Sequence, residues 1–508
     1  MPFPSLLIAQ TKSTKLEISF LVVLVIVASV VRFWDLGYIG FNNDEAIYSG
    51  QAATLAGFEE YGEHFSIFRA HPLLVQYFVS ILFGNFGISD TIARIVPAIF
   101  GIFAVIITYM VGRNLYDRRI AMISALVVTI LPYHILISRQ VLLDISLSCF
   151  YTLTLFFVSQ YLSRKEGYWL YFVGVSAGLT FMSKEVGIFA LIVSLLCLFL
   201  IKSLNRKNIL VIISTFLLTS SPFWIPVLII PDARDASLSY WNWQTSRDPN
   251  QDYDFYFTMI TQESLGYVLT GLFALSVIYS FVSKNIKKPT VFIPLVWIAV
   301  PLIIFQVLSV KGFAFTVAVV PVFVLMGISF LFSDWMKKVP HYRIVIIAII
   351  PLIFIFSGPM LHYMFQIPPT NLVGSTGGEL YAREAATWIR DNVDQKGVYL
   401  TVATRTANLI MYYSNNDAIA LHANNNPAYK RIDSADLPIL NGKINYLVNE
   451  PYLVELFPYL RQDSREINNL VIKYNAIPIH TEYGTYVDNS GRNIVKPAII
   501  IYSLQNTK

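Results

Sequence analysis

The sequence has little with which to build a water-soluble surface. Only 14% of its 508 residues are charged, and Lys and Arg, at 37, barely outnumber Asp and Glu, at 32. The net charge of +5 is scattered over short loops rather than gathered in a block. Such a pattern excludes a nucleic-acid surface, which depends on clustered phosphate contacts, and suits topology signals instead. There are two cysteines, Cys149 and Cys197, both within apolar runs. A disulfide framework and a thiolate metal site are thereby excluded. Repeats of fixed period and low-complexity tracts are also missing. What the chain has in plenty is apolar surface: 55% of it is hydrophobic, with a mean hydropathy of +0.56. Soluble domains have about 45–50% apolar residues even with glycine counted, so the bilayer is the expected solvent.

Lys12 and Lys15 precede an apolar run from Leu16 to about Trp34, too long for a signal-peptide core and without a small-residue cleavage site, which predicts a retained anchor. Stretches of about 20 apolar residues predict further spans near 91–113, 119–137, 142–163, 168–184, 186–203, 208–230, 262–282, 290–309, 312–333 and 343–364, about eleven in all. With that count Arg113, Arg118, Arg119, Arg164, Lys165, Lys202, Arg206, Lys207, Lys284, Lys287, Lys288, Lys337, Lys338 and Arg343 fall on one side. By the positive-inside rule that side is the cytoplasm. The N-terminus is then cytoplasmic, in the plasma membrane, and the large first outer loop, 35–90, and the loop 231–261 are extracytoplasmic. Beyond residue 365 the hydropathy changes: 371–380 reads as a linker, 379–393 as a helix, and 396–404, 444–450, 470–480 and 497–504 as strand-rich segments. The predicted fold is a polytopic α-helical membrane domain over 1–365 followed by an extracytoplasmic α/β domain over 366–508.

Asp44 and Glu45 lie in the first outer loop about ten residues beyond the first span, where a lipid-carried substrate presents its phosphate. A carboxylate there can take the proton of an attacking hydroxyl or amine. The pair also reads as an ordinary helix start, capped by Asn43 or Asp44. Arg69 and His71 follow in the same loop, ahead of an apolar amphipathic segment, and suit a phosphate. Arg69 could equally snorkel to headgroups and His71 cap the helix. Arg139 with Asp144, Lys184 with Glu185, and Lys311 put ionisable groups in apolar surroundings at three further outer turns. Ionisable groups in such positions mark function, or structural pairs holding helices together. Converging cations would form a phosphate site. Tyr240, Trp241 and Trp243 offer flat faces for a sugar, or an interfacial belt. No obligatory metal or other cofactor is indicated.

Taken in order, DEAIYSGQA at 44–52, RAHPLLVQYF at 69–78, SDTIARIVPAIFG at 89–101, SRQVLLDISL at 138–147 and SKEVG at 183–187 resemble the GT-C superfamily. Within it they resemble the glycosyltransferase 39 group of protein O-mannosyltransferases and aminoarabinose lipid A transferases. The resemblance implies transfer of a mannose-like hexose or related sugar from a polyprenyl or dolichyl phosphate to a protein, lipid or cell-surface glycan, with inversion. It implies Asp44 as base, Glu45 as its acidic neighbour, and Arg69, His71, Arg139 and Lys184 near the donor phosphate; the residues' own placement adds Lys311 there, with Asp144 and Glu185 in support. A single Pro72 stands where relatives often have two prolines. The tail does not resemble the β-trefoil insert of eukaryotic relatives, and no WWDYG-type element of oligosaccharyltransferases is present. A secondary transporter is the competing reading, although paired halves and mid-span charges, usual in transporters, are lacking.

Overall fold

A computed structural model describes residues 15–68, 71–249, 251–356, 381–394, 396–422, 436–487 and 492–504. The predicted linker at 371–380 and Arg69 lie outside the described residues. Among the described residues, six helical segments are long and apolar enough to cross a membrane: Lys15–Phe33 (α1), Asp90–Leu115, Asp144–Arg164, Arg206–Ile229, Pro289–Val307 and Val320–Lys337. The remaining five predicted spans are not single membrane-length helices among the described residues, and the last of them, 343–364, runs beyond the described residues after 356. Two are bent pairs, Arg118–Ile130 with Pro132–Ser138 at 61° and Phe255–Ser264 with Gly266–Val282 at 114°. Three, at Trp169–Ser183, Glu185–Leu200 and Tyr342–Ile355, are shorter apolar helices.

The bends have local causes. Leu131 precedes Pro132, whose ring disfavours the helical region for the residue before it, and Leu131 accordingly sits at φ −67°, ψ 116°. At the second bend Gly266 takes φ +73°, a conformation open to glycine and costly for other residues. An averaged hydropathy window sees neither break, because both flanking pieces are apolar.

The first loop is itself helical. Asn43–Leu55 (α2) packs against Leu74–Phe86 (α3), which is followed by Asp90–Leu115 (α4). Gln76 of α3 donates to Gln51 of α2 at 3.1 Å, and Gln51 donates to the Ser66 carbonyl at 2.9 Å. The cap of α2 is Asn42, not Asn43 or Asp44: its side-chain oxygen accepts the Asp44 and Glu45 amides, both at 3.0 Å. Helix α3 begins at Leu74 with no side-chain cap, so His71 does not cap it. Further along come Arg118–Ile130 (α5), Pro132–Ser138 (α6), Asp144–Arg164 (α7), Trp169–Ser183 (α8), Phe189–Leu200 (α9), Arg206–Ile229 (α10) and Pro231–Ser246 (α11). Helix α8 packs between α7 and α10, and α4 packs on both α5 and α7. The loop expected at 231–261 therefore begins with a helix, α11.

The C-terminal domain holds one five-stranded sheet in the order β2-β1-β3-β5-β4. Its strands are Val398–Ala403 (β1), Asp417–His422 (β2), Tyr446–Asn449 (β3), Ile477–Val487 (β4) and Asn493–Ser503 (β5). β1 pairs in parallel with β2 and β3, while β5 pairs antiparallel with β3 and β4. The segment 470–480 is divided: its first residues end a helix, Arg461–Lys473, and β4 begins at Ile477. After the first tail helix, Ala382–Asn392 (α12), comes Thr404–Ser414 (α13), which follows β1 and lies against α2. Phe41, Tyr61, Phe65 and Tyr412 stack there, with Tyr412 ring centroids 5.1, 5.6 and 6.3 Å from those of Phe41, Tyr61 and Phe65. Tyr413 accepts the Phe41 amide at 2.8 Å and donates to Asp90 at 2.8 Å. Arg383 donates to the Gly37 and Tyr38 carbonyls at 2.8 and 2.9 Å. The sheet domain is thus fastened to the segment that carries Asp44.

Candidate active site

Helix α2 is held by one buried ion pair. Arg94, on the first turns of α4, grips Glu45 through both nitrogens of its fork at 2.7 Å each. Its other hydrogens go to the carbonyls of Leu36, Ile39 and Gly40 at 2.7, 2.6 and 3.2 Å. Glu45 also accepts the amides of Val141 at 2.9 Å and Asn42 at 3.2 Å, and is fully enclosed. Such a fork can fix three chain segments in one geometry. Glu45 is saturated by these contacts, and its neighbour Asp44 points elsewhere.

Asp44 is half-buried, and its side chain receives one hydrogen bond, from Asn43 at 3.0 Å. One helical turn on, Tyr48 shares its face of α2. Burial pushes the Tyr48 phenol well up, and the negative charge of Asp44, Tyr240, Asp144 and Glu185 pushes it further. The Tyr48 and His71 rings meet edge to face at 5.9 Å. His71 Nδ1 lies 2.6 Å from Glu185, and its Nε2 lies 3.3 Å from the Tyr240 hydroxyl, which also accepts from Gln244 at 2.6 Å. Burial raises the Glu185 carboxyl, but contact with His71 and the nearby Lys184 more than offset it, leaving it below its ordinary 4.5. Burial likewise pushes the Tyr240 phenol up, helped by Glu185.

The sequence neighbours do not pair with each other. Lys184 reaches across to Asp144, with Nζ 3.0 and 3.2 Å from its two oxygens, and lies 4.2 Å from the centre of the Phe315 ring. The partners are exchanged because Lys184 is extended at φ −160°, ψ 139°, so it and Glu185 project to opposite sides. Gly187 makes this break between α8 and α9 feasible: a Cβ there would sit 2.3 Å from the Thr180 carbonyl oxygen. Asp144 opens α7, where a carboxylate also faces the positive end of the helix dipole.

The other expected site residues make different contacts. Arg139 donates to the Val31 and Asp35 carbonyls at 3.1 and 3.4 Å, at the end of α1, rather than to Asp144. Lys311 is buried, 5.8 Å from the centre of the Tyr253 ring. Trp243 packs against Tyr240 at 5.6 Å, and Arg247 stacks on it at 4.4 Å, whereas Trp241 is exposed. Sequence reasoning missed Tyr48, Arg94 and Gln244. Tyr48 was discoverable from its spacing of four residues from Asp44, and Arg94 from its position as a lone cation at the membrane re-entry.

A carboxylate without an ion pair among the described residues, Asp44, therefore stands one helical turn from a buried tyrosine, Tyr48, whose ring meets His71 of the His71–Glu185 pair, with Lys184 and Asp144 paired by the same break between α8 and α9. The arrangement suits proton removal beside an anionic leaving group. Residues 70–229, which contain most of this group, match the family described as dolichyl-phosphate-mannose-protein mannosyltransferase. Over the whole chain, ArnT from Cupriavidus metallidurans in the apo state aligns with a TM-score of 0.67 at 13% identity, covering 96% of this chain and 98% of that one. The chain has the fold of ArnT. The same protein bound to undecaprenyl phosphate aligns with a TM-score of 0.65 at 14% identity, covering 96% of this chain and 98% of that one. The Archaeoglobus fulgidus oligosaccharyltransferase aligns with a TM-score of 0.62 at 15% identity, covering 96% of this chain and 73% of its own. In sequence, an uncharacterized protein of Aquifex aeolicus (strain VF5) is 23% identical over 346 residues. That match covers 64% of this chain and 66% of the relative, so the chain spans just under two thirds of that relative's length.

The pairing of His71 with Glu185 predicts a pH dependence. A carboxyl whose folded pKa lies below its ordinary value stabilises the fold above that value, and the stabilisation is lost as pH falls through the folded value. Replacing Glu185 by Gln should cost about 1–3 kcal/mol at neutral pH, the range for a buried charged hydrogen bond. The gap from wild type should close as pH drops below 4.5. Thermal unfolding in detergent across that range checks this; a gap that widens on acidification contradicts it.

Proposed function

We propose that this chain is a membrane glycosyltransferase taking a sugar, mannose-like or related, from a polyprenyl-phosphate carrier. The acceptor is a hydroxyl or amine of a protein, lipid or glycan on the extracytoplasmic side. The observation that carries the reading is Asp44, half-buried and free of any ion pair among the described residues, one helical turn before Tyr48, whose ring meets that of His71. In the proposed step Asp44 takes the acceptor's proton as its oxygen or nitrogen bonds to the anomeric carbon. The bond from that carbon to the phosphate oxygen breaks on the opposite face, so the configuration inverts. The electron pair leaves with the polyprenyl phosphate, whose growing charge Lys184 and the Tyr48 hydroxyl meet. Glu45 positions Asp44 through its pair with Arg94 instead of touching the substrate. The binding of undecaprenyl phosphate by ArnT supports the choice of carrier.

The proposed topology sets this end of the bundle, with the C-terminal domain over it, outside the plasma membrane, because basic loops gather at the opposite end. The domains are proposed as 1–365 and 366–508. Arg69, Arg139 and Lys311 are proposed as outlying contacts for the carrier, and Tyr240 and Trp243 as the wall beside the sugar. The test of the phosphate assignment is Lys184→Ala. It should raise the KM for a polyprenyl-phospho-sugar and lower kcat, together at least about tenfold in kcat/KM, as for loss of one charged contact to a phosphate. Unchanged kinetics in a folded variant would remove Lys184 from the site.

A further inference from the structure

We propose that Asn408, in the C-terminal domain, is a positioning residue for Asp44, acting through Asn43. The inference rests on the reading of Asp44 as the base. The chain of contacts is short. Asn408 Nδ2 donates to Asn43 Oδ1 at 2.7 Å, and Asn43 Nδ2 donates to Asp44 Oδ1 at 3.0 Å. Asn408 is fully enclosed on the face of α13 that packs against α2.

The direction of these bonds matters. A primary amide has one acceptor end and one donor end, and its partners decide which way round it stands. Asn408 presents a donor, so Asn43 must turn its oxygen toward the C-terminal domain and its NH2 toward Asp44. That NH2 engages Oδ1 and leaves Oδ2, which has no hydrogen-bond partner among the described residues, as the proton acceptor. Without Asn408 the Asn43 oxygen loses the donor that anchors it, and its NH2 is no longer held against Oδ1. Asn43 sits on the first turn of α2 and is half-buried, so little else fixes it.

The surrounding interface is built to hold that register. Tyr413, five residues along α13, is locked between the Phe41 amide and Asp90, and Arg383 grips the Gly37 and Tyr38 carbonyls. The bonds to Phe41, Gly37 and Tyr38 land on the segment just ahead of Asn42, the cap of α2. The C-terminal domain thereby acts on the base at the end of a rigid contact, and an acceptor that displaced the domain would disarm Asp44.

The experiment measures polyprenyl-phosphate release by the full chain in proteoliposomes for Asn408→Ala, Asn43→Ala, the pair together, and Asn408→Ala added to Asp44→Asn. The expected result is a fall of about tenfold in kcat for each single variant, the scale of one lost charge-assisted hydrogen bond, with donor KM unchanged. The pair should be no worse than either alone, and Asn408→Ala should add nothing on the Asp44→Asn background. Wild-type kcat in Asn43→Ala overturns the proposal, and so does a loss that multiplies on the Asp44→Asn background. If Asn408→Ala does not fold, Asn43→Ala, which leaves the C-terminal core untouched, decides alone. Full activity of Asp44→Asn itself would instead overturn the assignment of the base, a separate failure from that of the relay.

Discussion

Arg94→Ala is expected to lower the stability of the membrane domain by about 3–5 kcal/mol, the range for breaking a buried ion pair from one side. The variant leaves Glu45, fully enclosed, with a charge and no cation, and leaves the Leu36, Ile39 and Gly40 carbonyls without the hydrogens that gather them. Arg94→Lys should recover only part of the loss, because an ammonium is a point donor and cannot match a two-pronged carboxylate contact and three carbonyls together. Removing Glu45 as well should relieve the uncompensated charge but not the loose carbonyls, so the double variant should lie between the single variant and wild type. Thermal unfolding in detergent measures all three. A wild-type melting temperature for Arg94→Ala would mean that the 36–45 segment is held by its C-terminal-domain contacts instead.

The second large effect is catalytic. Asp44→Asn should lower the rate of sugar transfer by at least about a hundredfold, the lower bound for losing a general base. Its stability should stay within about 0.5 kcal/mol of wild type, as for a surface-like substitution. The contrast follows from geometry. Asp44 receives a single side-chain hydrogen bond, from Asn43, and an amide oxygen can accept it equally well. Glu45, one residue on, is the opposite case: its bonds to Arg94, Val141 and Asn42 make it a structural carboxylate. Two adjacent acids are thus expected to fail in different assays, one in turnover and the other in folding.

Much of this was legible in the sequence, and the remainder was not, for physical reasons. Asp144, Lys184 and Glu185 were conspicuous as ionisable groups in apolar surroundings, where their cost calls for a role, and Asp44 and His71 by their place in the first outer loop. Their pairing was not legible. Proximity in sequence suggests Lys184 with Glu185, but an extended backbone at Lys184 sends the two side chains apart, to Asp144 and His71. Hydropathy located the apolar segments but could not see the kinks before Pro132 and at Gly266, because an average over 20 residues is blind to one dihedral. The strands β1, β3 and β5 were visible from β-branched and aromatic clustering. The run 470–480 misled because Leu470, Val471 and Ile472 carry apolar character onto the end of a helix before the chain turns into β4. The contact between Asn408 and Asn43 spans 365 positions of sequence, and nothing local announces it.

The most direct test of the account is whether the purified protein, in liposomes containing polyprenyl-phospho-sugars, releases free polyprenyl phosphate when an acceptor extract is supplied. Acceptor-dependent release is expected with at least one sugar of a panel, and none when the acceptor extract is left out. Turnover of no donor, combined with exchange of a solute across the same liposomes, would contradict it and make the chain a transporter.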